Sequence, residues 1–106
     1  MAREKFQTLT EQMYYTLLCL RNECCGADIM ERVNQITHGR VVIGPGTLYS
    51  LLESFEREGF IRQTRVEGRK RSYVITPEGV GRLEREVERL RRQVADYTYF
   101  GEGALV

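Results

Sequence analysis

A mainly α fold with one small β-hairpin is what this 106-residue sequence predicts, and three observations carry it. Apolar residues recur at three- and four-residue spacing in successive segments, the mark of amphipathic helices. Late in the chain, two runs of alternating character flank a polar, glycine-containing tip, the mark of a hairpin. The last long segment is charged everywhere except along a narrow heptad stripe, which suits a helix–helix contact.

Thr8-Leu9-Thr10-Glu11 has capping-box spacing from Thr8 to Glu11, so a first helix is expected over about residues 8–22. Leu9, Met13, Leu17 and Leu20 form its stripe, widened by Tyr14 and Leu18. The stretch from Asn22 to Gly26 breaks it. Ala27, Ile29, Met30, Val33 and Ile36 predict a second helix over about 26–37, ended by Thr37-His38-Gly39-Arg40. Val41-Val42-Ile43 is β-branched and apolar, enough for a short strand.

A third helix is expected over about 45–58. Pro45 suits the first helical position, where a missing N–H does no harm, and Gly44 precedes it as the cap. Leu48, Leu51, Leu52 and Phe55 share one face. Thr47, Tyr49, Ser50, Glu53 and Ser54 share the other, a lean and hydrogen-bonding surface able to approach a groove closely. Gly59 follows as a left-handed terminator.

Phe60, Thr64 and Val66 then alternate with Ile61, Gln63 and Arg65, and Ser72 to Thr76 form the return strand. Between them, Arg65 to Arg71 hold four basic residues against Glu67, net +3. Thr76-Pro77-Glu78 is a strong helix start. The last helix carries Val80, Leu83, Val87, Leu90, Val94 and Tyr97 as an a/d seam between charged flanks that include Glu84, Arg85, Glu86 and Glu88. So narrow a seam predicts a homodimer; the alternative is packing on helix one of the same chain. Residues 101–106 read as a flexible tail.

Composition narrows the function. Apolar residues make up 42% and charged residues 29%, a globular balance. The core this length buries is modest, so a second copy would help stability. The net charge of +1 gives no global attraction to nucleic acid, but residues 47–76 hold six basic and four acidic residues, net +2. No apolar run reaches membrane-spanning length and none follows Met1-Ala2-Arg3-Glu4-Lys5, so neither membrane span nor signal peptide is expected and the protein reads as cytoplasmic. Cys19, Cys24 and Cys25 are odd in number and lack zinc spacing, and His38 is the single histidine. Reduced thiols are expected, with Cys19 in the core; redox sensing through Cys24 or Cys25 is the alternative. No metal and no cofactor is expected. Nor is an enzyme: one histidine supports no nucleophile–base constellation, and Gly44-Pro45-Gly46 is too short for a phosphate loop.

Helices two and three form a helix-turn-helix with an extended turn, and a basic-tipped hairpin after the reading helix is a wing. The expected architecture is therefore a winged helix-turn-helix plus a C-terminal dimerisation helix. Residues 1–76 would be the DNA-binding domain and 77–100 the dimerisation helix. In such an arrangement the recognition helix enters a major groove of double-stranded DNA and the wing reaches phosphates. Thr47, Tyr49 and Ser50 are the candidate donors, and Arg69, Lys70 and Arg71 the candidate cations. Arg69 and Lys70 are favoured over Arg71, because some wing residues alternate inward. Arg3 and Lys5 are weaker candidates from an N-terminal arm. The bland readings are a solvated helix face, a Tyr49 packed against the wing, and ordinary hairpin solvation. A winged-helix protein-interaction module without DNA binding is the competing function.

Gly46-Thr47-Leu48-Tyr49, Leu51-Leu52, Phe55-Glu56, Glu58-Gly59-Phe60-Ile61, Gly68-Arg69-Lys70-Arg71-Ser72-Tyr73 and Thr76-Pro77-Glu78-Gly79 together resemble the signature of PadR-type transcriptional regulators. The resemblance covers about residues 8–95. It implies a homodimeric winged-helix repressor that binds a pseudo-palindromic operator and dimerises through its last helix, in the compact branch with a single C-terminal helix. Ser50 stands where many members carry proline. The chain also has no tryptophan, whereas some compact members stack flat hydrophobic effectors on a seam aromatic. Here the seam is aliphatic through Leu83, Val87 and Leu90, and Phe6, Tyr14, Tyr15 and Tyr97 flank it. If a small hydrophobic effector exists, it belongs between helix one and the last helix, lined by Tyr14, Val87 and Leu90.

Overall fold

Thr10, not Thr8, caps the first helix. The structure is a computed structural model that describes residues 8–101. In it α1 spans Glu11–Cys19, and the Thr10 hydroxyl accepts from the Met13 N–H at 3.1 Å. The box expected from Thr8 to Glu11 does not form: the Glu11 carboxylate it needs is taken by the Arg40 guanidinium at 2.7 Å, and the Leu9 N–H donates to Glu86 Oε1 at 3.2 Å. That contact pins the entry segment to the last helix, and α1 begins two residues beyond it. Its end also comes early: the N–H groups of Leu20 and Arg21 bond three residues back, to the carbonyls of Leu17 and Leu18, in a tightened turn.

The segment expected to be a plain break holds a two-residue strand, β1 (Cys24–Cys25), followed at once by α2 (Gly26–Ile36). The run Val41-Val42-Ile43, expected to be a strand, is not one. Polar groups of Val41 and Val42 go to side chains instead. Thr37 Oγ1 accepts from the Val41 N–H at 3.1 Å, and the Val42 carbonyl accepts from the Gln12 side-chain amide at 3.1 Å. Val41 and Ile43 are buried as anchors and Val42 faces solvent.

Helix α3 (Pro45–Arg57) follows the sequence expectation closely. Leu48, Leu52 and Phe55 are buried, and Gly59 adopts φ +82°. The N–H of Phe60 bonds the Phe55 carbonyl at 2.9 Å and that of Gly59 bonds the Glu56 carbonyl at 3.1 Å, a Schellman ending. The Phe55 and Phe60 rings, 6.2 Å apart, supply its apolar contact.

The hairpin comprises β2 (Ile61–Glu67) and β3 (Lys70–Ile75), turning at Gly68 and Arg69. With β1 it makes an antiparallel sheet of order β1-β3-β2, in which Cys24 pairs with Tyr73. The expected alternation along β2 breaks at Thr64. The register shifts there by one residue, a β-bulge, and Val66 beyond it is exposed.

Helix α4 (Pro77–Asp96) starts where expected, and continues into a π-helical turn, Tyr97–Gly101. Thr76 Oγ1 accepts from the Gly79 N–H at 3.1 Å and donates to the Gly59 carbonyl at 2.6 Å, tying the helix start to the end of α3. Of the expected tail, Gly101 belongs to this turn and 102–106 lie outside the described residues.

Gly79 sits where nothing larger fits. A Cβ there would lie 2.2 Å from the Phe60 carbonyl oxygen and 2.7 Å from Ile75 Cγ1. Gly79→Ala should therefore destabilise the fold by about 3 kcal/mol, the upper end of ordinary overpacking. Gly81→Ala, two residues on, meets only the flexible Arg85 guanidinium at 3.7 Å and should gain up to about 1 kcal/mol from helix propensity. Urea denaturation of the two variants checks both signs.

Leu17, Leu20, Ile29, Val33, Leu48, Leu52 and Phe55 form the core beneath α1–α3. Helix α4 joins that core only with its first half. Leu83 is buried and Val80 and Val87 are half-buried, whereas Leu90, Val94 and Tyr97 are 40%, 65% and 62% exposed. The heptad seam thus divides: its beginning is covered by helix one of the same chain, and its outer half lies open. Glu86, expected on the charged flank, is instead buried beside Arg82, which is buried too. The segment that enters α1 meets that flank at Leu9, so the carboxylate accepts from the Leu9 N–H and from the Arg89 guanidinium and lies beside that of Arg82.

Candidate nucleic-acid interface

The exposed face of α3 begins within its first turn. Thr47, Tyr49 and Ser50 all reach solvent there, while Leu48 between them is fully buried. Pro45 and the glycines on either side keep that end free of bulky side chains. Tyr49 has a second role. Its ring lies over the first residue of α2, so that a Cβ on Gly26 would stand 3.0 Å from Cε1 and 3.1 Å from the hydroxyl oxygen. The tyrosine therefore packs on Gly26, at the junction of β1 and α2, and remains 54% exposed.

Across from Tyr49 stands the wing. Tyr49, Glu53 and Glu56 of α3 form one wall of a cleft of about 670 Å³, and Arg69, Lys70 and Arg71 form the other. Gly26, Leu52 and Tyr73 also line it. The structure thus brings four of the six proposed contact residues, Tyr49, Arg69, Lys70 and Arg71, to one cleft. Thr47 and Ser50 lie outside it, on the exposed face of the same helix. Arg3 and Lys5, and the aromatic Phe6, lie outside the described residues.

Charge within the cleft is unevenly available. Arg69 and Lys70 are exposed at the tip. The Arg71 guanidinium sits at the Tyr73 hydroxyl; burial first, and nearby Glu56 second, push that phenol up, and Arg71 partly offsets them. Arg65, although basic and exposed, is engaged by Glu23 at 3.3 Å and Glu67 at 3.6 Å. The net +3 counted along the strip is therefore concentrated at its tip. Sequence reasoning missed Gly26, Tyr73 and Glu23 here. Thr64 and Glu23 are 41 positions apart, and no local pattern signals such a pair.

The three thiols are free and buried. Burial pushes Cys24 up to about 11 and raises Cys19 as well. A thiol held protonated in this way is a poor nucleophile, which favours the packing role. Among the described residues no group of three or more histidines, cysteines or carboxylates is placed to hold a metal ion. None of their helices is long and apolar enough to cross a membrane.

A second surface lies between α1 and α4. Tyr14, Val87 and Leu90, the trio expected from the sequence, line an open groove of about 290 Å³ together with Arg91 and Val94. A smaller recess beside it also uses Tyr14 and Val87.

A family model described as the transcriptional regulator PadR-like family matches residues 16–85. An uncharacterized 37.1 kDa protein in a transposon of Streptomyces fradiae is 34% identical over 67 residues, 63% of this chain and 19% of that protein. The chain thus spans about a fifth of the length of the curated relative it matches. The structure of a transcriptional regulator from Clostridium thermocellum is similar at a TM-score of 0.72 and 25% identity, over 85% of this chain and 91% of that one. Bacillus subtilis PadR, in a crystal structure with operator DNA, is similar at a TM-score of 0.62 and 25% identity, over 71% of this chain and 46% of its own.

Proposed function

The chain belongs to the PadR-like family of transcriptional regulators, and from that premise we propose that it is a homodimeric repressor that binds a pseudo-palindromic operator in duplex DNA. The observation that carries the reading is the single cleft shared by the exposed face of α3 and the basic tip of the wing. A major groove admits a helix, and α3 presents Thr47 and Ser50 on an exposed, slender first turn. Arg69 and Lys70 would lie against the flanking phosphates, where neutralising each phosphate releases counterions and makes affinity fall with salt. Residues 1–76 serve as the reading domain and 77–100 as the dimerisation helix. The open outer half of the seam, Leu90, Val94 and Tyr97, is the surface a second copy would cover. Two-fold symmetry then demands an operator with two inverted half-sites. A small hydrophobic effector would enter the groove at Tyr14, Val87 and Leu90, where it could alter the spacing of the two reading heads.

Fluorescence anisotropy against a selected operator and a random duplex tests the division of labour. Arg69→Ala should weaken binding to both duplexes alike and lower the salt slope by about one. Ser50→Ala should leave the random duplex untouched and change preference at a half-site position by about 1–3 kcal/mol. Equal affinity of the wild type for both duplexes at moderate salt would leave the protein-interaction reading standing instead.

A further inference from the structure

Glu23 lies in the turn between α1 and β1, outside the cleft, yet its carboxylate holds the hairpin. Oε2 accepts from Thr64 Oγ1 at 2.6 Å, and Oε1 accepts from the Arg65 guanidinium at 3.3 Å. Those two residues sit at the register shift of β2. A bulge takes a residue out of the ladder, bends the strand and increases its local twist. Everything beyond it, including Arg69 and Lys70, points where the bulge directs. The sheet order β1-β3-β2 places Glu23, next to Cys24, on the far side of β3 from Thr64. The grip therefore crosses the sheet and ties its edge strand to the body. The Thr64 hydrogen bond first, and Arg65 second, hold the Glu23 carboxyl below the usual carboxylate range, so it is ionised at neutral pH.

We propose that Glu23 is a positioning residue for the wing: by clamping the bulge at Thr64 and Arg65 it aims the basic tip at the cleft and withholds Arg65 from phosphate. This rests on the DNA-reading function proposed above. An idle surface ion pair contributes little to stability, so the two accounts differ in what removing the pair does to binding. If Glu23 were idle, Glu23→Gln would simply delete a negative charge and leave Arg65 with Glu67 alone. Every duplex would then bind more tightly, with a steeper salt slope. If Glu23 positions the wing, the operator should lose affinity although the protein has become more basic.

Operator and random duplexes are titrated against wild type, Glu23→Gln, Thr64→Val and the double variant, and amide hydrogen exchange is followed over residues 66–71. Each single variant should bind the operator about fivefold more weakly, and the double variant no more weakly than the worse single, as expected for one shared interaction. Thr64→Val keeps the charge and should leave the random duplex unchanged. The hairpin amides should exchange faster in both. Tighter binding of both duplexes by Glu23→Gln, with Thr64→Val equal to wild type and exchange unaltered, would overturn the proposal. A wild type indifferent to sequence would instead sink the DNA-reading function, and the exchange rates would still decide whether Glu23 holds the wing.

Discussion

Leu90→Glu combined with Val94→Glu should give a folded monomer whose affinity for an operator falls at least about a hundredfold. Both side chains stand on the outer half of the seam, exposed in the single chain, so the substitutions leave the protomer core intact. In the proposed dimer they would place like charges opposite one another in an apolar seam. Such burial costs several kcal/mol unless the charges are paired. A dimer engages two half-sites at once, and the second engagement is intramolecular; avidity gains of about 10²–10⁴ are lost when the link is cut. Sedimentation equilibrium reads the mass and anisotropy the affinity. Leu83→Glu is the contrasting change. Leu83 is buried by its own chain, so that variant should unfold and not merely dissociate.

The second large effect is expected at Glu86. Its carboxylate accepts from the Leu9 N–H and from Arg89, with Arg82 Nη1 at 3.9 Å. Glu86 and Arg82 are only 2% and 3% exposed. Glu86→Gln removes the anion from between the Arg82 and Arg89 guanidinium groups and so breaks the buried Arg82–Glu86 pair from one side. Breaking a buried pair from one side costs about 3–5 kcal/mol, against less than about 1 kcal/mol for the exposed Arg92–Glu88 pair on the same helix. The pH dependence follows from the direction of the shift. Arg89 first, then the Leu9 N–H and the arginine charges, lower Glu86 from its ordinary value of 4.5 despite burial. A carboxyl depressed in the folded state stabilises it above 4.5 and loses that contribution as pH falls through the folded value. Wild-type stability should therefore decline below pH 4.5 more steeply than that of Glu86→Gln, as urea titrations at stepped pH would register. The contact also joins the entry of α1 to α4, so the variant should loosen the base from which the outer seam projects.

The parts of this fold visible in the sequence are those determined by neighbours in the chain. Pro45, the Leu48–Phe55 stripe and the Gly59 ending lie within fifteen residues, and the structure reproduces them down to the Schellman bonds. Thr76-Pro77 likewise marks the start of α4 through its own hydroxyl and ring. Where the reading failed, a distant partner decided. The box from Thr8 failed because Arg40, 29 positions away, claims the Glu11 carboxylate, while Glu86 ties down the Leu9 N–H from 77 positions away. Cys24-Cys25 became a strand because β3 offers an edge, and Val41-Val42-Ile43 did not because Thr37 and Gln12 occupy its polar groups. Glu86 looked solvated because periodicity places a residue on a flank without saying what covers that flank. The candidate interface was legible in part for the same reason. Tyr49 and the Arg69–Arg71 tip follow from local pattern, whereas the support of Tyr49 by Gly26 and of the wing by Glu23 depends on tertiary contact.

In the proposed dimer, α3 and the wing act together as one reader, and the outer seam pairs two such readers. Selection of bound duplexes from a random pool tests this most directly, performed in parallel with wild type and the Leu90→Glu, Val94→Glu variant. The wild type should enrich two inverted half-sites at one fixed spacing, about one helical turn or a multiple of it from centre to centre. The variant should enrich a single half-site or nothing. Enrichment of no sequence by the wild type, or the same paired half-sites selected by both proteins, would contradict it.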